Sequence, residues 1–373
     1  MSWPTIQVNQ VNRLQGETKD IERVLLYVGT GKNNIGNTLP INSQSNLDTL
    51  LGAEDSVLKS DIRAALHNAG QNAFGFVHVL AEKDAEKNWA AGVMKAQRVA
   101  SVEGVVLTLA ATAAIIREAA NLRAALTAQL GRWQWLILAV DGLQPEETWA
   151  DHLKRLTALQ KGVAEPGIQL VPRLWGNEPG VLAGRLCNRG VTVADSPARV
   201  ATGPLLAMGT RPPTDAAGEP LTLATLQALE AQRFSVPLWY PDYDGLYWSD
   251  GRTLDAEGGD YQAIETVRVV DKVARRVRLQ AIARIADRTL NSTPGSIAAH
   301  QSYFARTLRD MARGSQINGA SFPGEVKPPQ EGDVQIVWRS ATKVEIYLVI
   351  RPYECPKGIT VSLEVDRTLE DKK

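Results

Sequence analysis

From Ile21 onward, short apolar runs alternate with stretches in which apolar residues recur every three to four positions, the pattern of strands and helices stacked in layers. The first part predicts strand Val24–Val28, helix Ser56–Ala69, strand Phe74–Leu80 and helix Trp89–Val99, with Gly70 ending the first helix. Strand Val105–Leu109, the alanine-rich helix Ala113–Leu130 and strand Trp135–Val140 follow, with Gly131 between the last two. Asp141 and Pro145 introduce a helix that runs to Gln160. Strand Ile168–Leu174, helix Pro179–Asn188 and strand Val191–Val193 complete a predicted open α/β sheet.

Pro and Gly become frequent between Pro197 and Gly218, which reads as a boundary or an irregular surface connection. Beyond it the organisation changes: Tyr261–Arg288 and Ser296–Arg313 read as long helices, followed by β patterns at Val334–Trp338, Lys343–Ile350 and Ile359–Val365. The fold class is therefore α/β in its first part and α+β over the whole chain. At 373 residues the chain exceeds what one core usually serves, so more than one subdomain is expected.

Charge narrows the function classes. The 41 basic and 41 acidic residues cancel, whereas a nucleic-acid binder usually carries a basic excess or stripe. Cys187 and Cys355 stand far apart without a Cys-x-x-Cys pair, so neither a disulfide framework nor a zinc site is expected. The opening residues lack the basic and apolar regions of a signal peptide, and the run Val105–Ile116 falls short of the roughly 20 residues that span a bilayer. Neither secretion nor membrane insertion is expected.

Gly29-Thr30-Gly31-Lys32 after an apolar strand invites comparison with a phosphate-binding loop, but the spacing fails. A Walker loop needs glycine where Leu26 stands and Ser or Thr where Asn33 stands; a dinucleotide loop needs its third glycine where Asn34 stands. His67, His78, His152 and His300 are each alone in their segments, with no nucleophile or paired carboxylate motif beside them. The acidic run through Asp242, Asp244, Asp250, Asp255, Glu257 and Asp260 lacks the calcium-loop register and reads as turns and helix caps. The helix from Tyr261 is rich in arginine and lysine and reads as a solvated face, with an acidic partner surface as the other reading.

Two segments carry more information. In the helix from Ser296, residues Ile297, Phe304, Leu308 and Met311 share one side, while Arg306, Arg309, Asp310 and Arg313 form a charged stripe on the other. Near the C-terminus Ile359, Val361, Leu363 and Val365 alternate with polar residues, so one side of that strand needs a sheet to join, its own or another subunit's. Ile6 and Val8 alternate in the same way, and plausible hinges lie at 12–18 and 352–358.

An ordered set of features resembles the contractile phage-type tail sheath family. Gly245-Leu246-Tyr247-Trp248 leading to Gly251-Arg252-Thr253-Leu254, then the basic helix, then Phe304–Gly319 with its glycine-containing exit, resemble the family's C-terminal domain. The strand pair through Ile350, Arg351-Pro352-Tyr353-Glu354-Cys355-Pro356 and a final strand continue the likeness. Val24–Gly29, Leu50-Leu51-Gly52 and the Phe74 strand are similar to the family's N-terminal region, while 105–233 carries little family-specific signal.

The resemblance implies a multi-domain sheath-like fold: an N-terminal arm at 1–20, the N-terminal part of the sheath core at 21–100, a central α/β insertion at 101–235, a C-terminal sheath domain at 236–355 and a C-terminal arm at 356–373. N- and C-terminal parts would meet in one shared domain. It implies a structural subunit without cofactor, nucleotide or catalysis, polymerising as hexameric rings stacked helically around an inner tail tube. Its partners would be copies of itself, the tube protein, and baseplate and tail terminator proteins, with assembly in the bacterial host cytoplasm and residence in the virion. Ile6, Val8, Ile359, Val361, Leu363 and Val365 would form inter-subunit strands, and Arg306, Arg309, Asp310 and Arg313 would face the tube. A type VI secretion-like sheath component and, more distantly, a nucleotide-binding α/β enzyme are the other readings.

Overall fold

A computed structural model describes residues 21–209 and 211–365. The chain begins with β1 (Leu25–Thr30), β2 (Thr38–Asn42), the short α1 (Leu47–Leu51), α2 (Val57–Ala69), β3 (Phe74–Leu80) and α3 (Ala85–Ala96). It continues through β4 (Gly104–Leu107), α4 (Ala113–Leu130), β5 (Trp135–Val140), α5 (Trp149–Gln160), β6 (Ile168–Pro172) and α6 (Glu178–Cys187). Side-chain caps set several helix starts: the hydroxyls of Ser56, Thr112 and Thr148 accept from Lys59, Ile115 and Asp151 backbone N–H groups. Gly131 ends α4 in the left-handed region, at φ 61°, where a side chain is disfavoured.

These strands make one six-stranded sheet in the order β2-β3-β1-β4-β5-β6, parallel except for β2 at the edge, which runs antiparallel to β3. Residues 100 and 101 fall between α3 and β4, so the segments 21–100 and 101–235 build this sheet together. Apolar side chains leave both faces. Leu26, Val28, Val105, Leu107, Leu136 and Leu138 pack under α3 and α4, while Leu25, Tyr27, Val106, Trp135 and Ile137 pack under α2 and α6. Burial on both faces explains why the strands read as continuous apolar runs.

The second half comprises α7 (Leu223–Ala231), β7 (Pro237–Tyr240), β8 (Tyr243–Trp248), α8 (Ile264–Ile282) and α9 (Pro294–Met311). Three short elements pairs follow from these: β7 with β8, β9 (Ser315–Ile317) with β10 (Ala320–Phe322), and β11 (Val334–Ser340) with β12 (Lys343–Leu348). Trp248, Ile264 and Val267 enter the same core as Leu25, Tyr27 and Ile62, so the C-terminal part shares a core with the N-terminal part. Further along α8, Val269 and Val273 pack with Leu308 and Met311 of α9.

Two expectations need correction. Val191–Val193 is no strand: both valines are buried, but the Asp195 carboxylate accepts from the Thr192 backbone N–H at 2.8 Å and closes a turn. The basic helix is no solvated face over its first half, because Arg268 and Lys272 are buried against Glu103 and Glu325.

Candidate assembly surface

The charged stripe expected on α9 is there. Phe304, Leu308 and Met311 are buried and Ile297 is half-buried, while Arg306, Arg309, Asp310 and Arg313 are all exposed. Asp310 lies between two arginines, 3.7 Å from Arg306 and 3.4 Å from Arg313, and Arg309 donates to the Ser302 carbonyl at 2.6 Å. Arg306, Arg309 and Asp310 lie at the end of α9 and Arg313 just past it, and together the four keep a net positive charge.

Behind α9 lies the hairpin β11–β12. Val334 and Ile336 of its inner face are buried beside Phe304 and Ala305, and Tyr347 stands exposed on the outside. Each strand pairs only with the other among the described residues, so both long edges of the hairpin offer unladdered backbone groups.

The C-terminal segment changes character within a few residues. Arg351 pairs with Asp333, Glu354 with Lys327, the Cys355 thiol approaches the Ala194 carbonyl, and Lys357 contacts Asp250 and, at 3.0 Å, Glu265. After Gly358 the segment becomes largely exposed. Ile359, Val361, Leu363 and Val365 are 81%, 74%, 90% and 79% exposed and belong to no strand of the described residues. The alternation expected there is thus an apolar stripe left largely exposed by the described residues. Ile6, Val8 and the 12–18 hinge lie outside the described residues.

Most of the features that suggested small-molecule chemistry are engaged in the fold, whereas His67, Asp242 and Asp244 are exposed. Backbone N–H groups of Gly31, Lys32 and Gly36, which a phosphate would need, donate instead to the carbonyls of Leu80, Leu51 and Val79. Lys32 pairs with Glu82 at 2.8 Å. His78 is buried against the Thr38 hydroxyl, His152 against Glu147, and His300 against the Ser296 carbonyl. In the acidic run, Asp255 accepts from the Ala256 and Tyr261 backbones, Asp250 holds Lys357, and Glu257 meets Arg252. No group of three metal-ligating side chains occurs among the described residues.

Sequence reasoning missed the buried charge network. Glu103 receives two hydrogen bonds from Arg268, at 2.7 and 2.9 Å, and one from the Arg23 backbone N–H at 2.6 Å. Burial alone would raise the Glu103 carboxyl, but the charge and hydrogen bonds of Arg268 overcome it and take it down to about 2. Glu178, buried without a cationic partner in hydrogen-bond reach, is pushed up to about 7, and burial lifts Asp271 to about 6. The local sequence could not signal a partner more than a hundred residues away.

The chain thus joins a sheet-and-hairpin body to an exposed C-terminal segment and a charged helix face, and solved structures of the same fold are contractile sheaths. The chain superposes on the sheath of an extracellular contractile injection system, PVC, in its contracted state, with a TM-score of 0.63, 15% identity and 98% of each chain covered. The contracted helical sheath of the anti-feeding prophage gives 0.59 at 15% identity, covering 98% of this chain and 100% of that one. In sequence, the chain is 50% identical over 371 residues to a tail sheath protein of Haemophilus phage HP1 (strain HP1c1), covering 98% of both. Residues 3–252 match the DUF2586 N-terminal domain and residues 260–368 the DUF2586 C-terminal domain. The chain belongs to the DUF2586 family and to the phage tail sheath proteins: it is a contractile sheath subunit, a structural component of the virion.

Proposed function

We propose that the subunit polymerises into hexameric rings, stacked helically around an inner tail tube, by lending its terminal segments to the β11–β12 hairpins of neighbouring copies. The observation that carries this is the pairing of an exposed apolar alternation at Ile359, Val361, Leu363 and Val365 with a hairpin whose two edges have no strand beside them among the described residues. Added strands contribute roughly 0.5 to 1.5 kcal/mol net per backbone hydrogen bond, enough over several bonds to keep neighbours linked while rings rotate and widen. Ile6 and Val8 give the N-terminal segment the same capacity.

In this reading Arg306, Arg309, Asp310 and Arg313 face the tube, because charged contacts release more readily than an apolar interface during contraction. Contraction draws on the difference between two packings of the same subunits and needs neither catalysis nor a bound nucleotide. Baseplate and tail terminator proteins close the two ends of the polymer, assembly takes place in the host cytoplasm, and neither nucleic acid nor membrane is a direct partner.

Negative-stain microscopy tests the reading directly. The purified full chain should form tubes or rings, and deletion of residues 359–373, or of residues 1–12, should leave a natively folded monomer by circular dichroism that forms none. Normal tubes from either truncated chain would remove that segment as a connector.

A further inference from the structure

Both terminal segments are rooted on the same helix. On the N-terminal side, Glu22 pairs with Arg275 of α8 at 2.9 Å, and the Arg23 backbone donates to Glu103, whose carboxylate is held by Arg268 of α8. On the C-terminal side, Lys357 is clamped between Asp250, just after β8, and Glu265 in the first turn of α8. Glu265 is buried and Lys357 about three-quarters buried, so this is a desolvated ion pair and not a surface contact. From Ile359 onward the apolar side chains of the segment are largely exposed.

The helix between these roots is firmly bedded. Ile264 and Val267 enter the core beneath the six-stranded sheet, and Val269 and Val273 the core shared with α9. Glu265 and Arg275 are separated by about 15 Å of helix rise, a distance a packed helix keeps under load. A pull on one terminal segment therefore arrives at a rigid rod to which the other is fixed.

We propose that α8 is a load-bearing strut joining the two terminal connectors, with Lys357–Asp250/Glu265 and Glu22–Arg275 as its end fastenings. The inference rests on the reading of the terminal segments as inter-subunit connectors. Tension from one neighbour passes through Lys357, along α8 and out through Glu22 to the next, so the fastenings act in series. The flexible part of the C-terminal connector starts at Gly358, not at Pro352.

Series fastening has a distinctive consequence for variants of the full chain. Lys357→Gln and Arg275→Gln should each lower the pelletable tube fraction about tenfold while retaining the native circular dichroism spectrum, and the double variant should fall no further. Lys357→Arg keeps a cation between Asp250 and Glu265 and should retain tubes. Losses that multiply in the double variant would mean two independent anchors and would overturn the strut, as would a Lys357→Arg variant that folds but forms no tubes. If deletion of residues 359–373 abolishes tubes while both single variants assemble as the wild type, the strut fails and the connectors stand. If the deleted chain assembles normally, both fail.

Discussion

Glu103 and Arg268 lie 165 residues apart and meet through two hydrogen bonds with both side chains buried, fastening the start of α8 to the edge of β4. Arg268 also stands over the Trp135 ring, 5.8 Å from its centroid. Arg268→Met should cost about 3 to 5 kcal/mol, because it leaves the Glu103 carboxylate buried without its cation. The double variant Glu103→Leu with Arg268→Met should recover much of that loss, since it removes the stranded charge. Urea denaturation of the four proteins in the cycle measures both, and a single variant as stable as the wild type would show the pair to be dispensable.

Stability should peak in mild acid. Glu103 has a folded pKa of about 2, below its unfolded value, so its contribution is complete above about pH 4.5 and is lost as pH falls toward 2. Glu178 and Asp271 act with the opposite sign: their folded values of about 7 and about 6 exceed the unfolded ones, so stability drains away as pH rises from about 4 to 7. The urea midpoint is expected to be highest near pH 5 and lower at pH 8, and Glu178→Gln should flatten that decline. A midpoint that climbs steadily from pH 5 to 8 would contradict the assignment.

Helices α2 and α6 touch through glycine. A Cβ on Gly180 would collide with the Asp61 backbone, and one on Gly184 with the Ala65 backbone, neither of which can yield as a side-chain tip can. Gly180→Ala and Gly184→Ala should each cost about 1 to 3 kcal/mol by forcing the helices apart. Gly295, in the first turn of α9 with open space around it, is the control. Gly295→Ala should be neutral or stabilise by up to about 1 kcal/mol. Equal thermal shifts in all three would show that composition, not helix contact, sets the effect.

What the sequence made legible follows from how local each signal was. Helix α4 and strands β3 and β5 lie at their expected bounds because capping residues, glycine stops and unbroken apolar runs all act within a few positions. Edge strand β2 was missed: Thr38-Leu39-Pro40-Ile41-Asn42 buries only Ile41 fully, and its proline is tolerable only at an edge. Val191 and Val193 misled because burial and strand pairing leave the same alternation. On α8, the count of arginines and lysines was visible but their destinations were not, since Glu103, Glu22 and Glu325 come from distant parts of the chain. The charged stripe of α9 was legible because helical period puts Arg306, Arg309 and Asp310 on one side, although the helix stops at Met311, short of the expected Arg313.

That stripe yields the last prediction. Arg306 and Arg313 are more than two-thirds exposed, and the only acidic member of the stripe, Asp310, is shared between them, so the face stays positive. None of the four side chains supports the core, and reversing them should leave the fold intact. Arg306→Glu with Arg309→Glu changes the face by four charge units while Phe304, Leu308 and Met311 keep their packing. Sheath–tube co-sedimentation should fall at least about tenfold, and sheath–sheath tubes should form as before. Wild-type association should weaken between about 0.1 and 0.5 M salt, as expected when exposed charges carry an interface and the screening length shrinks to a few ångströms. The charge-reversed protein should lose that salt dependence. Tube binding unchanged by the double reversal, at any salt, would take the stripe off the tube and return it to ordinary solvation.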